Sequence, residues 1–280
     1  MSLGLVLGGG GIAGVAWEIG VIAGLAEAGV RLDSARRVVG TSAGSIVGVA
    51  LASGADVASM LTQQREAEPP SRPHEPAPSI LDDSLAWAEI LSAPGRRDEL
   101  MRRMGAMAAE SQTVPEDRYR DSIAAMLPAD RWPADVEMRI TGVDAETGAV
   151  QVWDAESGVA LAAAVAASCA VPGQFPLVTI EERRYFDGGM ASPTHADLAA
   201  GCTEVLAIAP FSVAMAGPDL DAEIAGLGSG VRSAVIVPDQ ESITSFGNDP
   251  MDPATRRPAA EAGRAQGRAE AMRIGIILSL

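Results

Sequence analysis

The sequence predicts an α/β fold in which a mainly parallel sheet carries helices on its faces, and three observations carry that prediction. Two strand–turn–helix units fill the first 54 residues, each joining a short apolar run to a helix-length apolar stretch through a glycine turn. Strand-like apolar runs return far downstream, at 204–211 and 233–239. A length of 280 residues suits one large domain carrying an insertion.

Leu3–Leu7 is an apolar run of strand length, and Gly8–Gly11 breaks it. Ile12–Ala28 has the spacing of a buried helix ended by Gly29. Val38 and Val39 read as the tail of a second strand, and from Ser42 a second helix runs to Gly54. The stretch at about 65–79, "REAEPPSRPHEPAPS", holds five prolines and reads as a loop into an inserted region. Helical patterns at 82–92, 96–110 and 116–127 form that insert, whose Met and Leu residues suit a cap with an adaptable apolar lining. Residues 136–154 predict a hairpin turning at "ETG", and the alanine-rich stretch 158–168 a nearly buried helix. "CAVPGQFPLVTI" is a proline-punctuated loop, "RRYFDGG" ends a strand on Asp187, and a last helix starts near Ala254.

Composition excludes several function classes. A net charge of −16 and a pI of about 4.5 repel nucleic-acid phosphates, so no nucleic-acid partner is expected, and membrane contact is at most transient. The arginine-dense stretch 254–273 also carries Glu261 and Glu270 and reads as a solvated helix face. Cys169 and Cys202 stand in unrelated contexts, which predicts neither disulfides nor a metal cluster and fits a reducing cytoplasm. No Lys or Arg precedes Arg31, so the apolar N-terminus does not read as a secretory signal. The tail "RIGIILSL" fits a packed helix end, a membrane-touching segment or a dimer contact alike, and the oligomeric state stays open.

Three short stretches carry chemistry. Gly40-Thr41-Ser42-Ala43-Gly44 is a G-x-S-x-G pentapeptide at a strand-to-helix turn. Such a turn needs small neighbours, and the helix N-terminus favours the alkoxide that develops on Ser42. Gly9, Gly10 and Gly11 offer backbone amides for an oxyanion hole, each worth about 10²–10³ in rate. The same loop also fits a dinucleotide fingerprint through Gly9, Gly11 and Gly14, with Asp33 as ribose ligand. Asp187 ends a strand and is followed by Gly188 and Gly189, which keep its carboxylate clear to accept a proton from Ser42. Of the two histidines, His74 lies in the proline-rich loop, and His195 follows Asp187 so closely that it reads as the first turn of a helix. The carboxylate is the favoured base.

With these motifs in this order, the chain resembles the patatin-like phospholipase family from Leu5 to about Pro210. The family's glycine loop corresponds to Gly9–Gly14, its nucleophile elbow to Gly40–Gly44, and its D-G-G motif to Asp187–Gly189. "SCAVPGQFPLV" is similar to its proline-containing segment. The resemblance implies a three-layer α/β/α sandwich and a serine acyl-ester hydrolase acting on lipid or other acyl esters. Its Ser42–Asp187 dyad would work through an acyl-enzyme, with no cofactor and no metal. Two features depart from the family. Ala13 stands where the family usually carries Arg or Lys, and the stretch from Gly14 to Gly20 is one residue longer. Loss of that cation points away from an anionic head group and leaves room for a catalytically silent lipid-binding or regulatory protein.

Overall fold

In the computed structural model, which describes residues 2–66, 86–87, 89–212 and 219–280, one sheet of eight strands forms the middle layer. The first unit is β1 (Leu3–Leu7) followed by α1 (Gly11–Glu27), and the second is β2 (Ala35–Gly40) followed by α2 (Ala43–Ala52). Beyond them come α3 (Val57–Glu66), α4 (Arg97–Glu110) and α5 (Glu116–Ala124). The hairpin β3 (Glu137–Asp144) and β4 (Val150–Trp153) precedes α6 (Leu161–Ser168), β5 (Val178–Ile180) and β6 (Arg183–Asp187). The chain closes with β7 (Glu204–Ile208), α7 (Leu220–Gly226), β8 (Arg232–Ile236), α8 (Gln240–Ser245) and α9 (Arg256–Leu278).

Strands run in the order β5–β6–β3–β2–β1–β7–β8, with β4 paired to β3 off that path. The stretch β3–β2–β1–β7–β8 is parallel, as expected, while β4 and β6 pair antiparallel with β3 and β5 pairs antiparallel with β6. All of β1 and β7 is buried, as strands covered by helices on both faces must be. Leu3, Leu5 and Leu7 pack into the core under α1, α2, α6 and α9. On the opposite face Val6, Val39 and Val205 pack against Ala196, Ala199 and Leu220, and α4 covers Val143 and Phe186 through Met101 and Met104. The three layers are therefore present.

α1 and α9 approach closely enough for backbone to touch backbone. A side chain at Gly20 or Gly24 would run into the carbonyls of Ala260 or Arg264, and one at Gly263 or Gly267 into those of Trp17 or Val21. The C-terminal tail is thus a packed helix end, with Ile274 and Leu278 fully buried and Met272 and Ile276 exposed.

The register around β3 positions the site. Ile140 pairs with Gly40 of β2 and with Trp153 of β4, so those two strands lie on opposite edges of β3. Gly142 pairs with Gln151 of β4 and with Asp187 of β6, so β6 also lies opposite β4. β2 and β6 consequently share one edge of β3. Their C-terminal ends face each other about two residues, roughly 7 Å, apart along it.

Several boundaries differ from expectation. The alanine-rich helix begins at Leu161, and the final helix begins at Arg256 behind a 3-10 turn at Pro253–Thr255. The helix expected after His195 is a 3-10 turn, Ala196–Ala199. Most of the proline-rich loop, including His74, and part of the 82–92 pattern lie outside the described residues.

Candidate active site

Ser42 joins β2 to α2 with φ 51° and ψ −119°. A non-glycine residue held there costs about 1–3 kcal/mol, so the surroundings must enforce it. The turn has no room for side chains: one at Gly44 would strike the Leu7 carbonyl, and one at Gly40 would lie 2.7 Å from the Gly44 oxygen. The Ser42 amide donates to the Ser168 hydroxyl at 2.9 Å. The Ser42 carbonyl accepts from the Ser45 hydroxyl at 2.6 Å and from the Cys169 thiol at 3.3 Å. Burial and the nearby Asp187 charge push that thiol up to about 12, so it stays protonated and able to donate.

Asp187, at the end of β6, is only 3% exposed. Its amide donates to the Ala170 carbonyl at 3.0 Å, and its Oδ1 accepts the Gly189 amide at 2.7 Å. Burial pushes the carboxyl up to about 7, while the facing Ser42 hydroxyl and the Gly189 amide hold it back from rising further. The segment Ser168–Ala170 therefore touches both groups: Ser168 and Cys169 grip Ser42, and Ala170 grips Asp187. A side chain at Gly188 would collide with Thr141 of β3, so only glycine lets this turn lie against the sheet.

The glycine loop sits across the turn from Ser42, and a side chain at Gly9 would lie 3.5 Å from the Ser42 β-carbon. One expectation for it is corrected. Gly9 donates its amide to the Pro193 carbonyl at 2.8 Å, so that N–H is not free for a ligand. The amides of Gly10, Gly11 and Ala43 have no acceptor among the described residues. Ala43 is a residue the sequence reading missed as a donor; the elbow motif itself is the signal, because the amide after the nucleophile faces the same point. Gly14 donates to Gly10 in the first turn of α1.

The dinucleotide reading fails on geometry. Asp33 precedes β2, and β2 runs parallel to β1 with Leu3 beside Ala35, so Asp33 lies at the opposite end of the sheet from the glycine loop. Its carboxylate is taken by Arg31.

The family model of patatin-like phospholipases matches residues 5–200. The chain belongs to the patatin-like phospholipase family. No curated protein matches the sequence. Among solved structures, VipD from Legionella pneumophila is similar at 13% identity and a TM-score of 0.45, covering 98% of this chain and 67% of that one. A chain of the ExoU–SpcU complex from Pseudomonas aeruginosa is similar at 18% identity and a TM-score of 0.42, covering 100% and 52%. The type III effector protein ExoU gives 19%, 0.37, 95% and 53%. The chain thus spans about half the length of the ExoU chains.

In this patatin-like chain the His195 ring is committed to backbone beside the Asp187 turn. Its ring Nε2 bonds the Gly188 carbonyl at 3.0 Å, next to Asp187, and burial holds its pKa below the ordinary value. Behind it, Glu223 accepts the hydroxyls of Ser192 and Thr194 and the Ala196 amide. The fold brings ligand atoms of His195, Asp197 and Glu223 within 4.8 Å of one another, a cluster with no sequence signature. Both Glu223 oxygens already accept hydrogen bonds, and His195 links this group to the Gly188 carbonyl beside Asp187.

In front of Ser42 opens a cavity of about 810 Å³. That is ample for a lipid-sized ligand. Ile12, Val15 and Ile19 of α1 and Ile46 and Val47 of α2 make one wall, and Phe175 contributes beyond them. From the insert, Tyr119, Ile123, Met126 and Leu127 line it, whereas Met101 and Met104 of α4 are core. Among the described residues no helix is long and apolar enough to cross a membrane.

Proposed function

We propose that the chain is a serine acyl-ester hydrolase that cleaves lipid esters through a Ser42–Asp187 dyad. The observation that carries this reading is a buried carboxyl, pushed up to about 7, facing a serine hydroxyl at a strained elbow. A base poised near neutral pH takes a proton from an attacking hydroxyl and can return it. Asp187 would accept the Ser42 proton as Oγ attacks the ester carbonyl. The tetrahedral oxyanion would meet the amides of Gly10, Gly11 and Ala43, and protonated Asp187 would deliver its proton to the departing alcohol. Water, deprotonated by Asp187, would then release the acid from the acyl-enzyme.

The apolar cavity supports an acyl substrate, and residues 116–127 are proposed as the part of the insert that caps it. Substituting Met126 or Leu127 by Ala should then shift chain-length preference. A cytoplasmic location fits two buried, unpaired cysteines.

Fluorophosphonate labelling tests the reading. The parent protein should be labelled on Ser42, with labelling abolished in Ser42→Ala and slowed by at least about a hundredfold in Asp187→Asn. A folded parent protein that takes no label would mark a silent lipid-binding relative instead.

A further inference from the structure

The family's usual cation is absent at Ala13, yet the cavity in front of Ser42 contains one from another element. Arg256 is the only basic residue lining it and Asp56 the only acidic one, among the described residues. Arg256 opens α9, beyond the stretch matched by the family model.

The arm leading to it is docked on the glycine loop. Pro250 accepts the Ala13 amide at 2.9 Å, and a side chain at Gly11 would come within 2.8 Å of the Met251 sulfur, which lines the same cavity. Asp56 lies beyond the far end of α2, about 15 Å along the helix from Ser42. Its carboxylate is occupied by the amide and hydroxyl of Ser59.

Three other arginines of α9 are paired, Arg264 and Arg268 with Glu27 and Arg273 with Glu270, and Arg257 is exposed to solvent. Arg256 differs. Its Nε is buried without a hydrogen-bond partner among the described residues. A buried guanidinium donor left unpaired is unfavourable, and its planar fork matches an oxyanion. In a chain of net charge −16, an arginine on the nucleophile's cavity whose Nε has no partner among the described residues is a selective feature.

We propose that Arg256 determines specificity by holding an anionic oxygen group, phosphate or carboxylate, on the substrate whose ester carbonyl sits at Ser42. This deepens the hydrolase reading and rests on it for the position of the ester. The cation expected in the glycine loop is thus supplied in space by the C-terminal helix.

The test reads binding rather than turnover. Octyl phosphate, octanoate and octan-1-ol are titrated calorimetrically into Ser42→Ala protein, with and without Arg256→Gln. The parent should prefer at least one anion over the alcohol, and Arg256→Gln should cut that preference about tenfold or more. Which anion responds tells a phosphate-bearing from a carboxylate-bearing substrate. Arg256→Lys, which keeps the charge and loses the fork, should retain part of the preference and serves as the comparison if the Gln variant does not fold. A preference that is missing, or equal in all variants, overturns the proposal. Retained anion preference in a protein whose Ser42 takes no fluorophosphonate would overturn the hydrolase reading alone.

Discussion

The amide of Ser42 donates to the hydroxyl of Ser168 at 2.9 Å, linking the nucleophile's backbone to the end of α6. Because Ser42 sits in a disfavoured conformation, this bond helps hold an elbow that the local chain resists. Ser168→Ala leaves a buried donor unpaired, which costs about 1–3 kcal/mol. The expected result is a melting temperature lower by several degrees together with slower fluorophosphonate labelling, kcat falling more than KM rises. An equal loss of stability with full labelling would show that Ser168 only packs.

A carboxyl near 7 sets the pH response. Activity should rise with pH through about 7 as Asp187 ionises, measured as kcat/KM on a neutral ester. Stability runs the other way. The folded carboxyl holds its proton between about 4 and 7 while the unfolded one has released it, so rising pH across that window removes stability. Asp187→Asn lacks that penalty and should melt several degrees higher than the parent at pH 8, with the advantage vanishing near pH 4. A flat difference between those pH values would contradict the buried-base account.

Gly10 has no space for a methyl group, since a β-carbon there would lie 2.6 Å from Pro210 and 2.7 Å from Gly14. Gly10→Ala should therefore shift the loop and misplace its amide. Losing one oxyanion donor predicts a fall in kcat of about 10²–10³ with little change in KM. Far-ultraviolet circular dichroism of the variant should match the parent.

Glu18 of α1 is fully buried, and the Gly8 amide, the backbone donor nearest its carboxyl, is already given to the Ile208 carbonyl. Burial pushes its pKa well above the ordinary carboxylate value, which keeps it neutral in a place that would suit an apolar residue. Glu18→Leu should raise the melting temperature. The gain should grow as pH rises above about 4.5, because the folded parent must keep a proton that the unfolded chain releases, or else bury a charge. A destabilised Glu18→Leu protein would mean that the carboxyl has a role this packing does not reveal.

Much of this was legible in the residues themselves. The spacing of Gly40, Ser42 and Gly44 reports a local steric fact: a turn this tight admits no side chain on either flank, and the clashes predicted at both glycines bear that out. Hydrophobic runs and glycine stops placed β1, α1 and α2 within a residue or two, and for β2 only its C-terminal end. The short helices α3, α7 and α8 escaped notice, because six to ten residues with one or two buried positions leave little periodic signal.

By itself, then, the order of residues determined the α/β alternation, the elbow serine and a carboxylate free of bulky neighbours. Only tertiary structure decided what these groups meet. Pairing of both β2 and β6 along one edge of β3 brings Asp187 to Ser42, and strand register is a non-local property that no short motif encodes. The same holds for the Gly9 amide, already committed to Pro193, and for Arg256, carried into the cavity from the far end of the chain. Hydrogen-bond partners and cavity walls come from segments distant in sequence, so their chemistry exists only once the layers have closed.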